Sequence, residues 1–421
     1  MSKTFQQPAA PTRRSRATAR TSVALASLAI ISWLVSGCAP AVPGTGDQNS
    51  PQSSNSTAAT TPAGPVSACS DGTAGKLPLP ADWQATNNST DTASAEPSAV
   101  AGAATSATDG TTATKPTGPA TADTSGITLP IVATPPTPAL PTTVISCDDE
   151  EVTVTDVSRI VTIDLHGTLT EIVHGLGLGA NVIGRDRAAD FPEAANATIV
   201  TPMGHDLNAE AITALNPSVV LTDTTIGPVE VQEQLRAVGI PVIFFDSART
   251  MNGISHQISA VAGALGVPEA AVELNILVGA DMVSALSMVP KEANQVRVAF
   301  LYVRGTAGVY LMAGPGSGAD DIIKAAGAVD VGTDIGLKLP FTQLTSEALI
   351  KAAPDVLLLM SGGLESVGGP EGLFKIQGIG QTPAGANHRV VDVTDGTLLS
   401  FGPRSGQIIK ALAKAVHGLP E

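Results

Sequence analysis

From position 157 onward the apolar residues fall into short blocks of two kinds. Unbroken runs such as Ile160-Val161-Thr162-Ile163 and Val219-Val220-Leu221 have the length and β-branched content of buried strands. Between them, apolar residues return every three or four positions, the period of a helix with one face inward. In order, the pattern predicts a strand at 159–164, a helix opening at Thr168 and closed by Gly177, strands at 182–184 and 199–200, a helix at 229–238 and a strand at 242–245. A longer helical pattern covers 268–289, opened by Pro268, with Leu274, Leu277, Val278 and Met282 among its apolar positions. After it come a strand at 296–303, a helix at 319–326, strands at 356–360 and 390–393, and a final helix at 406–417. Strands alternating with short helices predict a parallel α/β topology.

Two stretches repeat one local pattern without a gap. The first is Leu207-Asn208-Ala209-Glu210-Ala211-Ile212 followed by Asn216-Pro217-Ser218-Val219-Val220-Leu221. The second is Leu344-Thr345-Ser346-Glu347-Ala348-Leu349 followed by Ala353-Pro354-Asp355-Val356-Leu357-Leu358. Each reads as a helix cap (Asn208, Thr345), a Glu in the first turn, a short apolar helix, a Pro stop and a buried strand. A unit used twice implies two similar α/β lobes, at 157–267 and 295–421, with a cleft between them and a linking helix at 268–290.

Composition removes the first third of the chain from this picture. Arg13, Arg14, Arg16 and Arg20 precede an apolar run at 23–35. At about 13 residues, that run is too short to span a bilayer and suits a signal-peptide core, giving a signal segment at 1–37. It ends Val35-Ser36-Gly37-Cys38, which resembles a bacterial lipobox, whose Cys becomes the lipid-modified first residue; an ordinary secretory cleavage site is the alternative. The stretch at 38–150 is rich in Ala, Thr, Pro, Ser and Gly, with Trp83 its one aromatic. Such a composition buries too little apolar surface to offset chain entropy and predicts a disordered tether. Cys69 and Cys147 lie within it, either paired as an extracytoplasmic disulfide or free. A formal net charge of -15 argues against a nucleic-acid partner. Beyond residue 38 no stretch reads as a membrane span.

Ligands of open α/β sheets bind beyond the carboxyl ends of the strands. Two predicted loops there carry metal chemistry: Gly204-His205-Asp206, and Tyr302-Val303-Arg304-Gly305. The chain has only two tyrosines and six histidines. A tyrosine, with an ordinary pKa near ~10, must lose its proton to bind ferric iron, and a neighbouring cation favours that loss. Residues two apart on a strand share a face, so Arg304 can hydrogen-bond the Tyr302 oxygen. Tyrosinate is an established ligand of ferric haem, and His205 on the other lobe can supply an imidazole to the opposite face.

Two lobes on one long helix resemble the substrate-binding proteins of bacterial ABC importers for metal chelates, siderophores, cobalamin and haem. The resemblance implies that one acidic residue per lobe docks on the permease, here Glu210 and Glu347. The region from Arg159 to His417 resembles more closely the haem-binding lipoproteins of Gram-positive haem importers, the HmuT type. It does so through Gly167-Thr168-Leu169-Thr170-Glu171-Ile172, Gly184-Arg185-Asp186-Arg187, Gly204-His205-Asp206-Leu207-Asn208-Ala209-Glu210, Tyr302-Val303-Arg304-Gly305, Gly314-Pro315-Gly316-Ser317-Gly318-Ala319-Asp320 and Phe401-Gly402-Pro403-Arg404.

That resemblance implies ferric haem b as a transported ligand and no catalytic cofactor or enzyme activity. Its axial ligands would be His205 and Tyr302, with Arg304 hydrogen-bonded to the tyrosine. It implies as partners an ABC permease with its ATPase, the membrane through a lipid at Cys38, and upstream haem-capture surface proteins. Arg185, Arg187 and Arg404 are candidates for the haem propionates, each weighed against an ordinary surface arginine. The run at 314–318 lacks the Lys-Ser/Thr ending of a phosphate loop and predicts close backbone approach instead. His166, His174, His256, His388 and His417 show no metal spacing and read as structural or surface residues. A siderophore or cobalamin binder, a haem enzyme, and a surface sensor or adhesin are the competing functions.

Overall fold

The computed structural model describes residues 65–69, 115–202, 204, 206–290 and 296–420. The expected signal segment at 1–37, the lipidated Cys38 and the axial candidate His205 lie outside the described residues.

Four short strands precede the lobes: β1 (Val66–Ser67), β2 (Ala120–Thr121), β3 (Thr142–Ile145) and β4 (Glu151–Val154). They correct the expectation of a tether running to residue 150. β1, β3 and β4 form a small sheet, β1 parallel and β4 antiparallel to β3. Cys69 and Cys147 are joined by a disulfide, resolving the open pairing. The composition argument fails here because these strands need no core of their own. They bury Ala68, Val144, Val152 and Val154 in the apolar core of the lobes and add backbone hydrogen bonds, neither of which overall composition reports.

The first lobe contains β5 (Ile160–Ile163), α1 (Thr168–Val173), β6 (Val182–Arg185), β7 (Thr198–Ile199), α2 (Ala209–Ala214), β8 (Val219–Thr222), α3 (Val229–Ala237) and β9 (Val242–Phe244). Its sheet has the order β7-β6-β5-β8-β9, parallel throughout. Every residue of β5 and β8 is buried, as their unbroken apolar runs require. Two helices follow, α4 (Gly253–Ala264) and α5 (Pro268–Met288).

The second lobe contains β10 (Arg297–Arg304), β11 (Val309–Ala313), α6 (Ala319–Ala325), β12 (Val329–Asp330), β13 (Phe341–Gln343), α7 (Ser346–Ala352), β14 (Val356–Met360), α8 (Ser361–Glu365), β15 (Val390–Val393) and α9 (Ser405–His417). Its sheet runs β13-β11-β10-β14-β15-β2, with β12 also beside β10. The core strands are parallel, but β11 runs antiparallel to both its neighbours, β10 and β13, so this sheet is mixed rather than wholly parallel. The turn at 305–308, closed by Gly308 in the left-handed region, returns the chain at once into β11.

The repeat holds. Its two copies are α2 with β8 and α7 with β14. β8 lies parallel beside β5, and β14 parallel beside β10. Asn208 caps α2 by accepting from the Ala211 amide at 3.0 Å, and Thr345 caps α7 by accepting from Ala348 at 3.1 Å.

α5 is long and apolar enough to cross a membrane by length and composition, which the sequence reading overlooked. Leu274, Val278, Met282 and Ala285 are nonetheless buried where it packs on α4 and α9, as in the core helix of a folded domain. The predicted close approach at 314–318 is also present. A Cβ at Gly318 would lie 2.9 Å from the Arg249 side chain and 2.9 Å from Phe401.

Candidate functional site

A cavity of about 640 Å³ opens between the lobes. Leu165, His166, Arg187, Ala188, Asp190, Pro202 and Gly204 line it from the first lobe. Tyr302, Arg304, Leu311, Phe341, Met360, Asp395, Gly396, Leu399 and Ser400 line it from the second. The apolar portion is built by strand ends and by Phe341, against which the Tyr302 ring stands edge-on at 6.0 Å.

Tyr302 and Arg304 reach this cavity because β10 carries them on one face at its carboxyl end. Contrary to the expectation from sequence, the Arg304 guanidinium does not bond the Tyr302 phenol oxygen. It lies over the ring, 4.8 Å from the centroid, and pairs with Asp395 at 3.0 Å. Arg304 also donates to the Val303 carbonyl at 3.0 Å, which folds the side chain back along its own strand.

The three arginines proposed for propionates separate. Arg187 is exposed, lines the cavity and has no ion pair among the described residues. Arg185 is buried and does not line the cavity: it donates to the carbonyls of Ala194 at 3.0 Å and Asp186 at 3.2 Å, so it fastens the loop after β6. Arg404 is also buried. It pairs with Glu171 at 2.6 Å and lies over the Phe191 ring, linking the second lobe to the first.

His166, read from sequence as structural or surface, proves to line the cleft. Its Nδ1 faces Arg249, whose Nε and Nη2 stand 3.3 and 3.2 Å away. Burial and that positive charge hold the imidazole pKa down to about 4. Arg249 is anchored in turn by Asp223 at 2.9 Å. No motif signalled this histidine; the one available clue was its place at the end of a predicted strand.

Contacts between the lobes lie beside the cavity. The Thr168 hydroxyl donates to the carbonyl of Ser400, and the Met251 amide donates to Asp321 at 2.7 Å. Glu210 and Glu347 sit elsewhere, exposed in the first turns of α2 and α7, with no ion pair among the described residues.

The model of a family described as periplasmic binding protein matches residues 163–396, which spans both lobes and the cleft. The chain belongs to that family. Members of it bind a substrate outside the cytoplasm for transport, so this binding protein is a transport component by family. Among solved structures it is similar to heme binding protein HmuT at 36% identity and a TM-score of 0.67, covering 72% of this chain and 97% of that one. It is also similar to the periplasmic heme-binding protein RhuT from Roseiflexus sp. RS-1, at 37% identity, a TM-score of 0.59, and coverage of 63% and 99%. HmuT structures include variants with a histidine, a tyrosine or an arginine replaced, the last two standing two residues apart as Tyr302 and Arg304 do. A more distant relative is a cobalamin-binding protein of Halobacterium salinarum, 25% identical over 62% of this chain and 69% of its own length.

Proposed function

We propose that this binding protein captures ferric haem in the cleft between its lobes and delivers it to a cognate ABC permease. One observation carries the reading: Tyr302 lines an interlobe cavity with a guanidinium over its ring, on a chain more than one-third identical to heme-binding proteins of the same fold. The Tyr302 oxygen binds the iron after losing its proton, and Arg304 offsets the negative charge that results. His205 supplies the imidazole on the opposite face from the first lobe. Arg187 meets a propionate at the cleft wall. Glu210 and Glu347 dock on permease arginines, one per lobe. A lipid at Cys38 holds the protein to the outer side of the cell membrane, where upstream surface proteins hand it haem. No chemical step is assigned to the site, which serves binding alone.

Titration of the purified protein with ferric haem tests this directly. Wild type is expected to give an intense, shifted Soret band, and Tyr302→Ala and His205→Ala each to alter the band and weaken binding at least tenfold. Unchanged spectra and affinities in both variants would remove the axial assignment. A cobalamin ligand is the second reading, favoured by the Halobacterium relative. It requires that cyanocobalamin bind with comparable affinity and that Tyr302→Ala leave that affinity intact.

A further inference from the structure

One cleft residue is built more elaborately than the haem reading uses. His166 sits in the turn between β5 and α1, and that turn is pinned on every side. Asp164 accepts hydrogen bonds from the amides of His166 at 2.8 Å, Thr168 at 3.1 Å and Leu169 at 2.9 Å. Gly167, at φ 75°, packs so closely on Ala189 that a Cβ would come within 2.8 Å of its backbone. A histidine serving only to fill space has no need of such a frame.

The tautomer of His166 follows from its neighbour. A guanidinium has only donors, so Nδ1 facing Arg249 must be the acceptor, and in the neutral ring the proton lies on Nε2. Arg249 cannot swing aside freely. Its Nη2 bonds Asp223 at 2.9 Å and its Nη1 donates to the Ser247 carbonyl at 3.0 Å. Nε2 has no hydrogen-bond partner among the described residues, nor is it one of the fully buried unpartnered atoms, so it is open to the cleft. Iron would need the lone pair of Nε2, which would move the proton to Nδ1 and set it against the guanidinium donors. The site therefore offers a donor and resists becoming a metal ligand. On the same wall stands Arg187, exposed and without an ion pair among the described residues. The nearby Asp395 carboxylate is matched by Arg304.

We propose that His166 is a ligand-binding residue of the cleft, donating its Nε2–H to a carboxylate of the bound tetrapyrrole while leaving the iron to other groups. The proposal rests on the haem reading and assigns one polar contact within it. Arg249 is a positioning residue that fixes which ring nitrogen carries the proton.

The test compares ferric haem with its dimethyl ester, which keeps the iron and loses both carboxylates. A hydrogen bond to a charged group corresponds to a change of about tenfold or more in affinity. His166→Ala is expected to weaken ferric haem at least tenfold, to leave the ester's affinity unchanged, and to leave the Soret position unmoved. His166→Gln, which keeps an N–H donor, should recover much of the loss and covers the case in which the alanine variant folds poorly. A shifted Soret band would make His166 an iron ligand and overturn the proposal. So would equal weakening of both ligands, or no weakening of either. Wild type that binds neither ligand would overturn the haem reading itself, a result separable from all of these.

Discussion

At the scale of single residues, the first lobe carries buried charge next to its cleft, and this makes stability depend on pH in two opposite ways. His166 is held down to about 4, below the ordinary histidine value of 6.5. The unfolded chain therefore takes up a proton at higher pH than the folded one. This contribution to stability is complete above about pH 6.5 and is lost as pH falls toward 4. Urea midpoints should drop between pH 7 and pH 5, and His166→Gln should flatten that slope. Asp186 runs the other way. Burial, and then the nearby Asp164 charge, raise its pKa well above the usual carboxylate range, and its Oδ2 has no hydrogen-bond partner among the described residues. Asp186→Asn keeps an acceptor for the Ala189 amide and removes the ionisable group. Thermal melts at pH 7 to 8 should rise by a few degrees, on the order of 1 kcal/mol. Local spacing made part of the site legible: Tyr302 and Arg304 are two apart on a strand, and a strand fixes their common face. Partnerships across the fold were not legible, because Arg249 lies 83 positions from His166 and Glu171 lies 233 from Arg404.

At the scale of elements, α2 and α7 show why the repeat could be read so well. Cap, acidic first turn, Pro stop and strand are all set by neighbours in sequence, so the local pattern determines the unit. Glu210 and Glu347 are exposed, and charge at these positions is dispensable for folding beyond a few tenths of a kcal/mol from the helix dipole. The double variant Glu210→Lys/Glu347→Lys should lose association with the permease in reconstituted membranes while titrating haem like wild type. Retained association would end the docking assignment. β2 marks the opposite limit of legibility. A two-residue segment joins the sheet edge because Ala122 donates to the Asp392 carbonyl at 2.8 Å and Thr121 bonds the Asp392 side chain. Nothing in Ala120-Thr121 announces a strand; the edge of β15 supplies the reason.

At the scale of the whole molecule, the lobes are held by a desolvated pair. Glu171 and Arg404 meet at 2.6 Å, with side chains 1% and 9% exposed. Removing one partner leaves the other charge buried, so Arg404→Ala should cost about 3–5 kcal/mol in chemical denaturation, whereas Glu171→Gln/Arg404→Met should cost much less. A small difference between those two variants would show that the pair is solvated in solution. The segment ahead of the lobes ties the same two bodies from outside. β2 extends the second lobe's sheet, the Val132 amide donates to Gly175 at 2.9 Å, and Cys147, bonded to Cys69, donates its amide to Phe244 of the first lobe at 2.9 Å. The covalent ring closed by the disulfide thus has attachments in both halves. The consequence concerns modularity: neither half is a free-standing cassette. A gene fragment ending in α4, or one beginning at β10, would strip a neighbour's edge or leave this ring half anchored. The two lobes look duplicated in sequence, yet recombination could exchange them only together with the segment that laces them.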